Sequence, residues 1–276
     1  MKLTSYSTYK DIDWSLLHRN ALNQQGWKRR LSEDWDRKAK AFSNRNTHDT
    51  YVDLLLQHLP LRQNMTVLDV GCGPGTMAIP ISEKVAAVTG IDFSKGMLDQ
   101  LADRSKKGNR TNITPVCCSW DDDWDTAGII PHDLAIASRA LAVENLEACL
   151  QKLNKYGKRY VFLTDRIGDT PFEADAFRAI GRPFSSGPDY IYTLNTLYHL
   201  GIHANVSILT LDKEKQYPNI EAAFEAYVWM FPDLTKREQD LLRDYISSQI
   251  VHSQANHITV RRQSVPSWAL LWWYKE

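Results

Sequence analysis

Four cysteines in 276 residues leave little room for a disulfide framework or a metal cluster. Cys117 and Cys118 are adjacent and cannot easily bridge each other, and no pair has metal-ligand spacing. Reduced, mostly buried thiols suit the cytosol, so a cytoplasmic location is expected and no metal site. Net charge is missing as well. The 33 Lys and Arg balance 33 Asp and Glu, so no global basic surface exists to hold phosphates, and no nucleic-acid partner is expected. A short basic run, Lys28-Arg29-Arg30, reads as a solvated helix face. No stretch approaches ~20 uncharged apolar residues, so no membrane-spanning helix is expected. The opening MKLTSYSTYKDIDW has no apolar core region and does not read as a signal peptide. Internal repeats and low-complexity tracts are lacking too.

What is present is a core-forming composition with 43% hydrophobic residues, which argues against wholesale disorder. Helical spacing marks the first sixty residues. Trp27, Leu31, Trp35, Ala39 and Phe42 form one set, and Tyr51, Leu54, Leu55, His58 and Leu59 another. The polar stretch Ser43-Asn44-Arg45-Asn46-Thr47 between them reads as a loop, and Pro60 ends the second helix. Short apolar runs then alternate with helical segments. The predicted strands are Thr66–Val70, Ala87–Ile91, Ile113–Cys117, Leu134–Ser138 and Tyr160–Thr164. Helices are predicted at Met77–Lys84, Lys95–Lys106 and Glu144–Lys155, the last with Val143, Leu146, Cys149, Leu150 and Leu153 on one face. Strands alternating with helices imply right-handed crossovers and a mainly parallel sheet covered on both faces, an α/β doubly wound architecture.

Beyond the fifth strand the regularity lapses. A Pro- and Gly-rich stretch, Arg166–Tyr190, surrounds a short helix at Phe172–Ile180. A helix near Tyr192–Leu200, a strand near His203–Leu211 and two amphipathic helices follow. The first carries Ile220, Ala223, Phe224, Tyr227, Val228 and Phe231, and the second Leu241, Leu242, Tyr245, Ile246 and Ile250. Trp268–Tyr274 closes the chain as an aromatic-rich strand. Three parts result: an N-terminal helical cap over 1-60, a ligand-binding core over 61-165, and a segment over 166-276. That last segment holds a substrate-side insertion, a helical pair and closing strands of the same sheet. The helical pair at Ile220–Val251 reads as a cap or a partner surface, which leaves a homodimer open.

The informative segment is Val67-Leu68-Asp69-Val70-Gly71-Cys72-Gly73-Pro74-Gly75-Thr76. An apolar strand enters a glycine-dense turn, whose missing Cβ atoms allow a sharp bend and close approach of a ligand. The following helix start is expected to add free N–H groups, at the sheet edge where open α/β folds bind ligands. Dinucleotide enzymes prefer G-x-G-x-x-G, but here the glycines fall at 71, 73 and 75, with Asp69 just ahead of them. An acid there repels a diphosphate and attracts a cation. At the end of the second strand, Gly90-Ile91-Asp92-Phe93-Ser94 supplies a carboxylate that can accept both hydroxyls of a ribose. Ser94 has the chemistry of a helix N-cap.

Together, V-L-D-V-G-C-G-P-G-T and G-I-D-F-S-K-G-M-L resemble the class I S-adenosylmethionine-dependent methyltransferases, in their small-molecule methyltransferase-domain branch. The motif similarity runs from about Thr66 to Ser138, and the strand–helix order extends it to Thr164. The resemblance implies a Rossmann-like, mostly parallel seven-stranded sheet with an N-terminal helical lid and a C-terminal helical insertion. It implies S-adenosyl-L-methionine as cofactor and S-adenosyl-L-homocysteine as product. In that family Asp69, Gly71, Cys72 and Gly73 would line the methionine moiety, Gly75 would belong to the same cofactor-binding turn, Asp92 would hold the ribose and Phe93 would flank the adenine. Cys72 then counts as a small packing residue, not a nucleophile.

The family's third motif falls on Cys118-Ser119-Trp120-Asp121-Asp122-Asp123-Trp124. Asp121 would accept from the adenine amino group and Trp120 would stack beside the ring. Ser119 departs from the usual acid, and a solvated acidic turn is the competing reading. The fourth motif places Ser138 and Arg139 beside the reacting methyl. There Arg139 either clamps an anionic substrate bidentately or pairs with Glu144. Methyl transfer from a sulfonium needs alignment and exclusion of water, with a base only for a protonated nucleophile. No catalytic dyad stands out. Arg139 and His199 are the candidates, with Tyr190, Tyr192 and His203 as polar contacts, and Trp27, Trp35 and Phe42 read either as a lid over the cofactor or, at helical spacing, as core. A methyltransferase acting on a small molecule is expected, against a tRNA or protein methyltransferase and a non-methylating adenosylmethionine-binding protein.

Overall fold

The computed structural model describes residues 8–45 and 50–275, side chains of 41, 44 and 45 apart. A single 3-10 turn, Tyr9–Asp11, leads into α1 (Trp14–Gln25), whose Asp13 N-cap accepts from the Leu16 amide at 2.8 Å. Gly26, left-handed at φ 70°, ends it. Short helices α2 (Ser32–Asp36), α3 (Ala39–Arg45) and α4 (Thr50–His58) follow. Trp27, Leu31 and Trp35 therefore do not share one helix, because the glycine cap breaks the periodicity after one element. Lys28-Arg29-Arg30 lies in the irregular stretch behind that cap and not on a helix face. Ser43 to Arg45 are helical where a loop was expected, and Asn46 and Thr47 lie outside the described residues.

Next come β1 (Thr66–Val70), α5 (Ala78–Ser82), β2 (Ala87–Asp92), α6 (Lys95–Lys107), β3 (Ile113–Cys117), β4 (His132–Ser138), α7 (Leu146–Tyr156) and β5 (Gly157–Arg166). Ser94 caps α6, accepting from Met97 N at 3.1 Å, and Asn145 caps α7, accepting from Ala148 N at 3.2 Å. Helix α7 buries Leu146, Cys149, Leu150, Leu153 and Tyr156 on one face, the i, i+3, i+4 stripe its sequence announces. The chain continues through α8 (Ala174–Ala179), α9 (Tyr190–His199), β6 (Asn205–Thr210), β7 (Glu214–Tyr217), α10 (Ile220–Val228), α11 (Lys236–Ser248), β8 (Ile250–Gln254), β9 (His257–Arg261) and β10 (Ser267–Tyr274).

Seven strands form one sheet in the order β3-β2-β1-β4-β5-β10-β6. The pairs β1/β2, β1/β4, β2/β3 and β4/β5 are all parallel. The central strands are buried on both faces: Val67, Leu68, Leu134, Ala135, Ile136 and Ala137 are all sealed from solvent. This is the expected Rossmann-like α/β sheet. Because β2 lies on one side of β1 and β4 on the other, the chain reverses direction of winding beside β1. Open α/β sheets bind their ligands outside the carboxyl ends of strands at such a point.

The chain divides into two compact units. One comprises Met1–Asp165, Gly187–Leu209 and Ala269–Glu276, and the other Arg166–Ser186 and Thr210–Trp268. The second unit holds a three-stranded antiparallel sheet in the order β7-β9-β8, which the sequence reading missed. Ile250 opens β8 instead of extending the apolar face of α11, and only Ala255 and Asn256 separate the hairpin strands. The closing strand β10 does join the large sheet; β7, β8 and β9 do not. Leu242, Tyr245 and Ile246 of α11 pack with Ala223, Phe224 and Tyr227 of α10 in that unit's own core.

Candidate cofactor site

The turn after β1 is built from left-handed glycines, with φ 68° at Gly71, 52° at Gly73 and 84° at Gly75. Their surroundings differ. A Cβ on Gly71 would meet Ala140 Cβ at 2.5 Å, and one on Gly75 would meet Leu101 Cδ1 at 2.4 Å. A Cβ on Gly73 would meet nothing within 4 Å. Gly71 and Gly75 therefore admit protein neighbours, while the face of Gly73 is open.

The turn spends its amides internally. Gly71 N and Cys72 N both donate to Ile91 O, at 2.8 and 3.0 Å, and Gly75 N donates to Cys72 O at 3.0 Å. Gly73 N donates to Asp92 Oδ2 at 2.9 Å. Helix α5 begins only at Ala78, and its first amide faces Asp69. Ile79 N donates to Gly75 O at 3.1 Å, so part of the N–H groups expected at this helix start already has protein acceptors. A diphosphate, which needs a nest of outward amides, finds acids in their place.

Asp69 is 1% exposed, and its Oδ2 has no hydrogen-bond partner. Burial pushes its carboxyl up to about 7, the charge of Asp92 adds to the rise, and the Ala78 amide opposes it. Thr76 Oγ1, in the same turn, is also buried without a partner. Asp92 accepts from Gly73 N and, through Oδ1, from Ser94 N at 2.9 Å. Burial raises its carboxyl too, against those two amides. Each oxygen retains a lone pair. Cys72 is buried, its thiol donates to Gly73 O at 3.7 Å, and burial pushes it well above the ordinary thiol range. A protonated, enclosed thiol is no nucleophile.

Phe93 is half-buried beside Asp92, and Cys117 Sγ donates to its carbonyl. Trp120 is half-buried, with Nε1 donating to Ala140 O at 3.0 Å and its ring 5.5 Å from that of Trp124. The Asp121–Asp123 run forms a hydrogen-bonded acidic turn. Asp122 accepts from Ser119 N at 2.7 Å, Asp123 accepts from Thr126, and Asp121 pairs with Arg29 at 2.6 Å on the surface. An exposed ion pair of this kind is worth at most about 1 kcal/mol, so Asp121 is held only loosely.

At the end of β4, Ser138 Oγ lies 2.7 Å from the Tyr51 hydroxyl, which lies 2.6 Å from Thr164 Oγ1. Arg139 adopts φ 56° and its guanidinium lies over the Tyr51 ring at 4.2 Å, a contact that neither sequence reading of this residue contained. His199 is exposed at the end of α9, beside a hollow of about 280 Å³ lined by Lys10–Ser15 and Glu147, and no residue of the glycine turn lines that hollow. Tyr192 packs edge-on to His18, and His203 against Tyr198. Trp35 packs against Phe42. Among the described residues no three His, Cys, Asp or Glu side chains could hold a metal ion, and no helix is long and apolar enough to cross a membrane.

Sequence reasoning missed four residues here. Asp36 accepts from Ser94 Oγ at 2.6 Å and from Gly96 N at 2.8 Å, tying the end of α2 to the start of α6. No pattern marks it. Tyr51 and Thr164 look like apolar-face and strand residues in one dimension, and Ala140 like a loop residue. Their roles arise only where strand ends converge.

Residues 67–160 match the family model described as methyltransferase domain. The chain belongs to the class I S-adenosylmethionine-dependent methyltransferases. S-adenosylmethionine is that family's cofactor. A Haemophilus influenzae protein described as uncharacterized is 32% identical over 246 residues, 87% of this chain and 88% of its own. Enzymes with named reactions match over shorter stretches. The malonyl-[acyl-carrier protein] O-methyltransferase of Salmonella typhimurium is 48% identical over 52 residues, 19% of this chain and 21% of its own. The 23S rRNA (uracil(1939)-C(5))-methyltransferase RlmD of Aliivibrio fischeri is 31% identical over 71 residues, 26% of this chain and 16% of its own. The chain thus spans about a fifth or less of those two methyltransferases. Among solved structures, the YcgJ protein of Bacillus subtilis superposes with a TM-score of 0.55 at 15% identity, covering 82% of this methyltransferase and 98% of that chain, which speaks for the fold.

Proposed function

We propose that this chain transfers the methyl group of S-adenosylmethionine to a small-molecule acceptor, with the cofactor lying across the Gly73 face of the turn and its ribose on Asp92. One observation carries the reading: the amides of Gly71, Cys72, Gly73 and Gly75 go to protein acceptors, and Asp69 keeps a buried, unpartnered carboxylate oxygen. Such a site compensates a positively charged ligand and repels a diphosphate. The residues present fit the cofactor. Asp92 keeps lone pairs for two ribose hydroxyls, Gly73 leaves room for close approach, and the negative charge of Asp69 acts on the ammonium and sulfonium. Phe93 and Trp120 flank the adenine, and Trp120 is held in place by its bond to Ala140. Gly71, Gly75 and Cys72 shape the turn from behind. Asp121 exchanges its surface arginine for the adenine amino group.

When bound, the cofactor supplies an electrophilic methyl on a cationic sulfur. The tasks left to this chain are to orient and to exclude water. No base is assigned, and exposed His199 is not given that role. A zero net charge weighs against an RNA acceptor, although the match to an rRNA enzyme keeps that reading second. Methyl-labelled S-adenosylmethionine incubated with fractionated cell extract separates the readings. Label entering the low-molecular-weight fraction, with release of S-adenosylhomocysteine, is the expected outcome. Label entering only RNA or protein overturns the small-molecule acceptor, and no transfer beside tight nucleotide binding favours a non-methylating binder.

A further inference from the structure

Helix α6 opens on a serine N-cap with no acid of its own behind it. A capping box needs Glu or Gln at the third helical position, and Met97 stands there. The acid comes from far up the chain instead. Asp36, at the end of α2, accepts from Gly96 N at 2.8 Å and from Ser94 Oγ at 2.6 Å, both through Oδ1. The direction of the second bond is fixed. Met97 N donates to Ser94 Oγ at 3.1 Å, which leaves the hydroxyl proton for the carboxylate. The Ser94 hydroxyl and the Gly96 amide hold the Asp36 carboxyl below its ordinary range.

Gly96 is fitted to this approach. Its backbone is helical, and no left-handed φ calls for a glycine. Glycine weakens a helix relative to alanine, so the reason lies in the surroundings. A Cβ at this position would meet Asp36 Cα and Asp36 Oδ1, each at 3.0 Å. The bare position is what lets α2 close on the first turn of α6.

The same serine serves the ribose acid. Ser94, sealed from solvent, donates its amide to Asp92 Oδ1 at 2.9 Å, while Gly73 N donates to Oδ2 at 2.9 Å. Two amides therefore set the plane of the Asp92 carboxylate, and one belongs to the residue whose side chain is tied to Asp36.

We infer that Asp36 is a positioning residue for Asp92: through Ser94 and Gly96 it fixes the loop that presents the ribose acid, a role that rests on the cofactor reading above. Burial raises the Asp92 carboxyl, and the charge of Asp36 adds to the rise. Orientation and charge thus make opposite forecasts for removal of Asp36, the first a loss of nucleotide affinity and the second a gain.

A double-mutant cycle read by calorimetric titration of S-adenosylhomocysteine decides between them. Asp36→Ala should weaken binding by about fivefold, below the roughly tenfold of a direct hydrogen bond to a charged group. Asp36→Asn keeps an acceptor oxygen in the same place and should lose only about twofold. On the Asp92→Ala background, Asp36→Ala should change affinity by less than about twofold, because the group it orients is gone. Gly96→Ala, which pushes α2 off the loop, should reproduce the Asp36→Ala loss and add nothing to it in the double variant. An undiminished loss on the Asp92→Ala background makes Asp36 a brace of the fold and overturns the proposal. So does unchanged or improved binding by Asp36→Ala, an improvement leaving Asp36 with its charge alone. Should Asp36→Ala not fold, Gly96→Ala takes its place in the same cycle. A wild-type protein that does not bind the nucleotide, or an Asp92→Ala variant that binds it equally well, refutes the cofactor reading itself, a result distinct from these.

Discussion

Two carboxylates in this molecule are equally buried and differently treated. Glu173, in the unit formed by Arg166–Ser186 and Thr210–Trp268, is 1% exposed, as is Asp69 beside the glycine turn. Glu173 is fully served. Tyr245 donates to Oε1 at 2.6 Å, Tyr227 to Oε2 at 2.8 Å, and Arg262 Nε stands 3.1 Å from Oε2 at ion-pair distance. Burial raises both phenols, and the Glu173 charge raises them further, so they stay protonated as donors. Asp69 has a bare oxygen and a carboxyl pushed up to about 7. A satisfied buried charge holds its surroundings together; an unsatisfied one is a cost borne until a ligand compensates it.

The comparison breaks most visibly at Glu173. Glu173→Ala leaves the part-buried Arg262 without its counter-charge and two buried phenols without acceptors, and should destabilise its unit by about 3 kcal/mol in denaturant unfolding. A loss under about 1 kcal/mol would show that the network contributes packing alone. Gly71→Ala comes next. Its methyl would sit 2.5 Å from Ala140 Cβ on left-handed backbone, so the protein should lose about 3 kcal/mol of stability. Gly73→Ala, facing open space, should lose only about 1 kcal/mol from its backbone and weaken nucleotide binding instead.

Asp69→Asn should act in the opposite direction from Glu173→Ala. A carboxyl raised on folding keeps its proton in the native state between its unfolded value and about 7. The native protein therefore binds more protons there, and stability falls as pH rises through that window. The amide removes this slope and should stabilise the ligand-free protein by about 2 kcal/mol at pH 8. Thermal unfolding from pH 5 to pH 8 checks it. An unchanged slope would mean that Asp69 is ionised at no cost.

The large sheet was legible because its signals are local. Val67–Val70 runs straight into three glycines, Ser94 caps α6 as its type demands, and α7 shows its buried stripe in the sequence. The small antiparallel sheet was not, since Ile250 continues the helical spacing of α11 although it starts a strand. Within the site, the glycines and Asp92 stood out by motif. The direction of the turn's amides did not, because hydrogen bonds such as Gly71 N to Ile91 O join residues twenty apart. Asp36, Tyr51 and Thr164 were hidden for the same reason: each meets its partner only across strand ends.

Calorimetric titration of S-adenosylmethionine into the wild type and into Asp92→Ala tests the central claim most directly. The account predicts binding by the wild type and an affinity about tenfold to a hundredfold lower in the variant, from the loss of hydrogen bonds to a charged acceptor. Equal affinities, with the variant folded, would contradict it.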